Sequence, residues 1–166
     1  MRQGGRHLLL ALAGLFAACA VGGAPAATPG RIAVIVGTPA PRLTLDRDIL
    51  RDIYLKKIFV DRDGHRLIPV NLPPDSPLRA AFTHILIRMP DSQLQDYWNR
   101  QYFQGVSPPY VLASQQAVVR FVASTPGSIG YVSACFLQPD VHVALWLSPP
   151  QGSGDLATDC PESPTN

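Results

Sequence analysis

The sequence predicts an α/β fold in which a mostly parallel sheet is flanked by helices, and three observations lead there. Short β-branched or apolar runs of strand length stand at Ile32–Val36, Leu67–Val70, Ile129–Val132 and Val141–Leu147. Between them lie segments whose apolar residues recur at helical spacing, most behind a residue suited to start a helix. The resulting order is strand, helix, strand, helix, helix, helix, strand, strand. Strands separated by helices favour one layered sheet entered through right-handed crossovers. No internal repeat or second core is visible in the 166 residues, a length that suits one domain.

Taken in order, Arg31 to Val36 is a buried strand closed by Gly37 and two prolines. Asp46 caps a helix with Ile49, Leu50, Ile53 and Tyr54 on its buried side. Lys56-Lys57 suit its C-terminal end, where the helix dipole favours cations. Asp63-Gly64 is a turn dipeptide leading into the strand at Leu67–Val70. A calcium loop there fails, because Phe59 and Val70 would stand where carboxylates are needed.

The stretch from Arg66 to Met89 joins that strand to a helix. Ser76 is the expected N-cap, Pro77 takes the first helical position, and Asp75 lies beside the positive end of the dipole. Leu78, Ala81, Phe82, Ile85 and Met89 then fall on one face. Pro90 breaks the chain and Asp91 is the expected cap of the next helix, whose Leu94, Trp98 and Tyr102 form an aromatic stripe expected to be core; Gly105 stops it. Ser107-Pro108-Pro109 is a loop. Ser114 caps a helix with Val118, Val119 and Val122 on its buried side, ended by Thr125-Pro126-Gly127.

The N-terminus has the form of an export signal over residues 1–26. Arg2 and Arg6 precede an apolar run from Leu8 to Val21, and Ala24-Pro25-Ala26 offers a cleavage site. Phe16-Ala17-Ala18-Cys19 is a poorer match to a lipoprotein box, which would anchor the chain through Cys19 instead. The run is short for a membrane span. The expected organisation is therefore a signal at 1–26, an α/β lobe at 27–148 and a flexible Pro/Gly/Ser-rich tail at 149–166. Without Arg2 and Arg6, 12 basic side chains balance 12 acidic ones. A neutral protein with no basic cluster beyond Lys56-Lys57 has no electrostatic footprint for nucleic acid. Export also leaves Cys135 and Cys160 as an even pair in an oxidising compartment, where a disulfide between them would tie the tail to the body.

Catalytic chemistry finds little support. His7, His65, His84 and His142 are scattered without metal-ligand spacing, and the only glutamate is Glu162 in the tail. The serines are accounted for by caps and turns, and none lies in a nucleophile elbow. The sequence therefore argues against an enzyme, a metal centre or a cofactor.

Five segments carry a resemblance. They are Leu45 to Lys57, Val70-Asn71-Leu72-Pro73, Asp75-Ser76-Pro77-Leu78-Arg79 before Phe82, Tyr97-Trp98, and Pro126-Gly127-Ser128-Ile129-Gly130-Tyr131-Val132. In this order they resemble phosphate ABC transporter substrate-binding proteins, and more narrowly their short, single-lobe relatives. The resemblance implies one lobe of a type II periplasmic binding protein, in the periplasm. It also implies phosphate or a similar oxyanion as ligand, and an ABC permease or another envelope protein as partner. Asp75, Ser76 and Arg79 are the ligand residues it implies, because full-length members offer a Ser-Gly-Thr helix start to phosphate. This chain keeps the serine, loses a donor at Pro77 and a hydroxyl at Leu78, and carries Arg79 inside the helix rather than an arginine before it. Those departures leave two readings. One is an oxyanion-binding module acting alone or as a dimer that rebuilds a cleft; the other is a ligand-free envelope interaction module that retains the fold.

Overall fold

The computed structural model describes residues 31–148. The expected signal, Cys19, Cys160 and the tail at 149–166 lie outside the described residues. One five-stranded sheet organises the rest, in the order β3-β2-β4-β1-β5. Its strands are β1 (Ile32–Val36), β2 (Ile68–Asn71), β3 (Tyr110–Val111), β4 (Ser128–Ser133) and β5 (His142–Leu147). The helices are α1 (Arg47–Tyr54), α2 (Pro77–Leu86), α3 (Asp91–Phe103) and α4 (Gln115–Ser124).

Four of the five strands point the same way. β2 runs parallel to both β3 and β4, while β1 runs antiparallel to β4 and β5 and so opposes the other four. The mostly parallel sheet is thus present, with one reversed strand next to the β5 edge. β1 is buried at every position, as its unbroken apolar run requires of a strand covered on both faces.

Alternation along β4 shows how the helices are divided between the faces. A side chain at Gly130 would meet Val118 Cγ1 at 2.5 Å, so the glycine lets α4 lie close to the sheet on that face. The next residue, Tyr131, points to the opposite face and stacks on Phe82 of α2 at 3.7 Å between ring centroids. Tyr54 of α1 meets Phe82 edge-on at 4.8 Å. Its hydroxyl donates to the carbonyls of Val70 (2.9 Å) and Ile129 (3.3 Å), pinning α1 across β2 and β4. Gly127, at φ +76°, turns the chain so closely to Arg66 that an added Cβ would lie 2.2 Å from the Arg66 carbonyl oxygen. The Pro126-to-Val132 motif is therefore a packing solution in which one glycine makes a turn and another admits a helix.

The caps at Asp46, Ser76 and Ser114 are present, each side-chain oxygen accepting a backbone N–H three residues on. Three expectations need correction. Asp91 is not a cap: Pro90 holds that position and makes no side-chain bond, while Asp91 begins the helix, where its carboxylate suits the dipole. α2 ends at Leu86, and Arg88 follows with φ +56°. The stripe on α3 is core only in its first half. Leu94, Tyr97 and Trp98 pack against the core, whereas Tyr102 is 71% exposed and Phe103 89% exposed. The last turn of α3 therefore stays in solvent. β3 was not anticipated, because two residues after a proline pair carry no alternation to read. Cys135 stands exposed in a 3-10 turn at Ala134–Phe136 directly after β4.

Candidate functional site

In open α/β sheets, ligands gather beyond the carboxyl ends of parallel strands. Here that place follows Asn71, the last residue of β2, and leads through Leu72 to the start of α2. Asn71 Oδ1 accepts the Leu72 N–H at 3.1 Å and the Tyr131 hydroxyl, which itself receives the Leu72 N–H at 3.4 Å. Burial pushes the hydroxyls of Tyr131 and Tyr54 well above the ordinary tyrosine range. Both stay protonated at physiological pH and act as fixed donors rather than acids or bases.

The three expected ligand residues do not converge. Asp75 is exposed in the turn and takes part in no ion pair among the described residues. Ser76 Oγ accepts the Arg79 backbone N–H at 3.3 Å, and the Ala80 N–H bonds the Ser76 carbonyl at 3.0 Å. Ser76's own N–H donates to the Pro73 carbonyl at 3.0 Å. Pro77 has no N–H to offer. At the N-terminus of α2, then, the Leu78 N–H is the one early amide left uncommitted among the described residues. An anion cradle at a helix start needs several free amides together, and this start has spent them on its own turn.

Arg79 turns the other way. Its Nη1 donates to the Leu72 carbonyl at 2.7 Å, holding the guanidinium back toward the end of β2. Arg79 lines two connected clefts between α2 and α3. The inner one, about 230 Å³, includes Asn71, Phe82, Thr83, Gln95 and Trp98. The outer one, about 740 Å³, adds Pro74, His84 and Asp91. Ser76 and Asp75 line neither. With one nitrogen committed, the guanidinium N–H groups left without a partner among the described residues can reach a carboxylate or phosphate oxygen. The cleft residues Asn71, Thr83, Gln95 and Trp98 were not anticipated as site residues. A polar Asn ending an apolar strand, and a lone Tyr in another, were the available signals, since buried polar groups need partners. Among the described residues no group of three His, Cys, Asp or Glu could hold a metal ion, and no helix is long and apolar enough to cross a membrane.

Solved structures resemble this architecture. A phosphate ABC transporter substrate-binding protein from Clostridium perfringens, with bound phosphate, superposes with a TM-score of 0.55 at 20% identity, covering 68% of this chain and 43% of that one. An ABC-type phosphate transport receptor from Vibrio cholerae does so with a TM-score of 0.52 at 20% identity, covering 68% of this chain and 44% of the receptor. The fold is shared with phosphate receptors. The chain therefore shares the fold of one part of these receptors, and spans less than half the length of the two. No described protein family matches the sequence, and no curated protein does so.

Proposed function

We propose that the chain is an exported, non-enzymatic periplasmic-binding-protein-like module that takes phosphate or a similar oxyanion for an ABC transport system, with Arg79 as its principal contact. The observation that carries this reading is the position of Arg79. It is a cation anchored by the Leu72 carbonyl beyond the carboxyl end of β2, facing a cleft lined by Thr83, Gln95 and Trp98. The phosphate-receptor fold supports the ligand class. In this reading Ser76 keeps the helix start in shape rather than binding, and the anion is held weakly, because strong oxyanion sites need several converging donors shielded from water. The export signal at 1–26, a Cys135–Cys160 bridge restraining the tail, and a permease or a second copy completing the cleft belong to the same proposal.

Calorimetry with inorganic phosphate tests it. Binding in the millimolar range that disappears in Arg79→Gln is the expected result; no heat and no thermal shift at millimolar phosphate overturns it. A second reading, a ligand-free envelope interaction module, is favoured by the amides already spent at the start of α2. It predicts no phosphate binding and an Arg79→Gln protein whose partner contacts are unchanged.

A further inference from the structure

A second cleft lies apart from the Arg79 site. Its volume is about 520 Å³, and Lys56, Phe59, Val60, Arg66, Val106, Ser107 and Tyr110 are among its walls. Among the described residues it shares only Pro108 with the inner Arg79 cleft and nothing with the outer one. Its chemistry is distinctive on three counts.

The first is charge. Lys56 is half-buried, and its ammonium is pushed below the ordinary lysine range by burial and then by the positive charge of Arg66. Neither cation has an ion pair among the described residues, although Arg42, Lys57 and His65 nearby in sequence all have carboxylate partners. Lys56 is also held where a side chain is unfavourable. It sits at φ +57° just past α1, its N–H bonded to the Ile53 carbonyl and that of Lys57 to Asp52. The same closing turn after α3 uses Gly105 at φ +77°.

The second count is apolar exposure. Phe59 is 52% exposed and Tyr110 66%, with Val60 beside them in the cleft wall. Rings at such exposure, gathered around a cleft, are the usual material of binding hot spots. The third is the edge of β3, which among the described residues has β2 on one side and no strand on the other. An extended chain can add to such an edge through its backbone.

We infer that this cleft docks an extended segment of a partner protein, carrying a carboxylate beside apolar side chains. The carboxylate lies between Lys56 and Arg66 and removes their mutual repulsion. The flanking apolar side chains cover Phe59, Val60 and Tyr110, and the main chain extends the sheet at β3. A free inorganic anion would leave the rings exposed. A second copy meeting this one through the same face would bring two cation pairs together.

The test uses the full chain and two labelled probe heptapeptides, Val-Thr-Ile-Glu-Phe-Asp-Val and its counterpart with both acidic residues replaced by lysine. Fluorescence anisotropy is expected to show binding of the acidic peptide only, weakened about tenfold in Lys56→Asn/Arg66→Gln and also in Tyr110→Ser, and reduced by salt. Asn tolerates the left-handed backbone at position 56, and circular dichroism checks the fold of each variant. Arg79→Gln is expected to bind the peptide unchanged, which separates this site from the oxyanion reading. Equal binding of both peptides, or no binding of the acidic one, overturns the inference. So does binding to phosphatidylglycerol vesicles in place of the peptide, which would make the patch a lipid contact.

Discussion

Two groups of aromatic residues in this molecule differ in almost everything except composition. Tyr54, Phe82 and Tyr131 are buried against one another, and both hydroxyls have partners in the strand ends. Phe59, Tyr102, Phe103 and Tyr110 stand in solvent. The first group ties α1 and α2 to the sheet, so it belongs to the stability of the fold. The second contributes little to folding, since its apolar area is left wet. It becomes useful only if a partner covers it. Identical side chains thus divide into structural and interaction roles according to whether a neighbouring element reaches them.

Breaking the buried group should have the largest effect. Phe82→Ala removes the ring between Tyr54 and Tyr131 and should cost about 3–5 kcal/mol, measured by urea unfolding. A cost near zero would mean that the trio does not hold the helices to the sheet. Tyr54→Phe keeps the ring and removes a donor to the Val70 and Ile129 carbonyls, so a loss of about 1 kcal/mol is expected by the same measurement. The exposed group supplies the contrasting end of the scale: Phe103→Ser should change stability by less than about 0.5 kcal/mol.

The turn that presents Phe59 and Val60 offers a pH test between these limits. Asp61 is buried within it. Burial alone would raise its pKa, but the backbone N–H groups of His65, Arg42 and Asp63, together with the His65 ring, outweigh this and leave the carboxyl below its usual range. A depressed carboxyl pKa stabilises the fold fully above the unfolded value of about 4 and loses that contribution as pH falls through the folded value. Unfolding followed between pH 2 and 6 should therefore show an acid-dependent loss of stability that is smaller in Asp61→Asn. An unchanged pH dependence would show that the turn is not held by this carboxylate.

Much of this architecture was legible locally. Caps at Asp46, Ser76 and Ser114, the Asp63-Gly64 turn and the buried valines of α4 each depend on a few adjacent residues, so their signals survive in the linear sequence. The fate of Tyr102 did not, because helical spacing reports which residues share a face and not how far the body beneath that face extends. The candidate site was partly legible. Ser76 and Arg79 were identifiable, but that the serine would be spent on the Arg79 amide and the guanidinium held by the Leu72 carbonyl depends on how the β2–α2 loop closes.

The sequence by itself determined the alternation of strands and helices and the starts of three helices, since periodicity and capping act over a handful of residues. Tertiary structure alone decided that β1 runs against its neighbours, that Asn71 meets Tyr131, and that Lys56 and Arg66 share a cleft with no carboxylate among the described residues lining it. Those outcomes depend on groups distant in sequence, which are brought together only when the whole sheet and its helices pack.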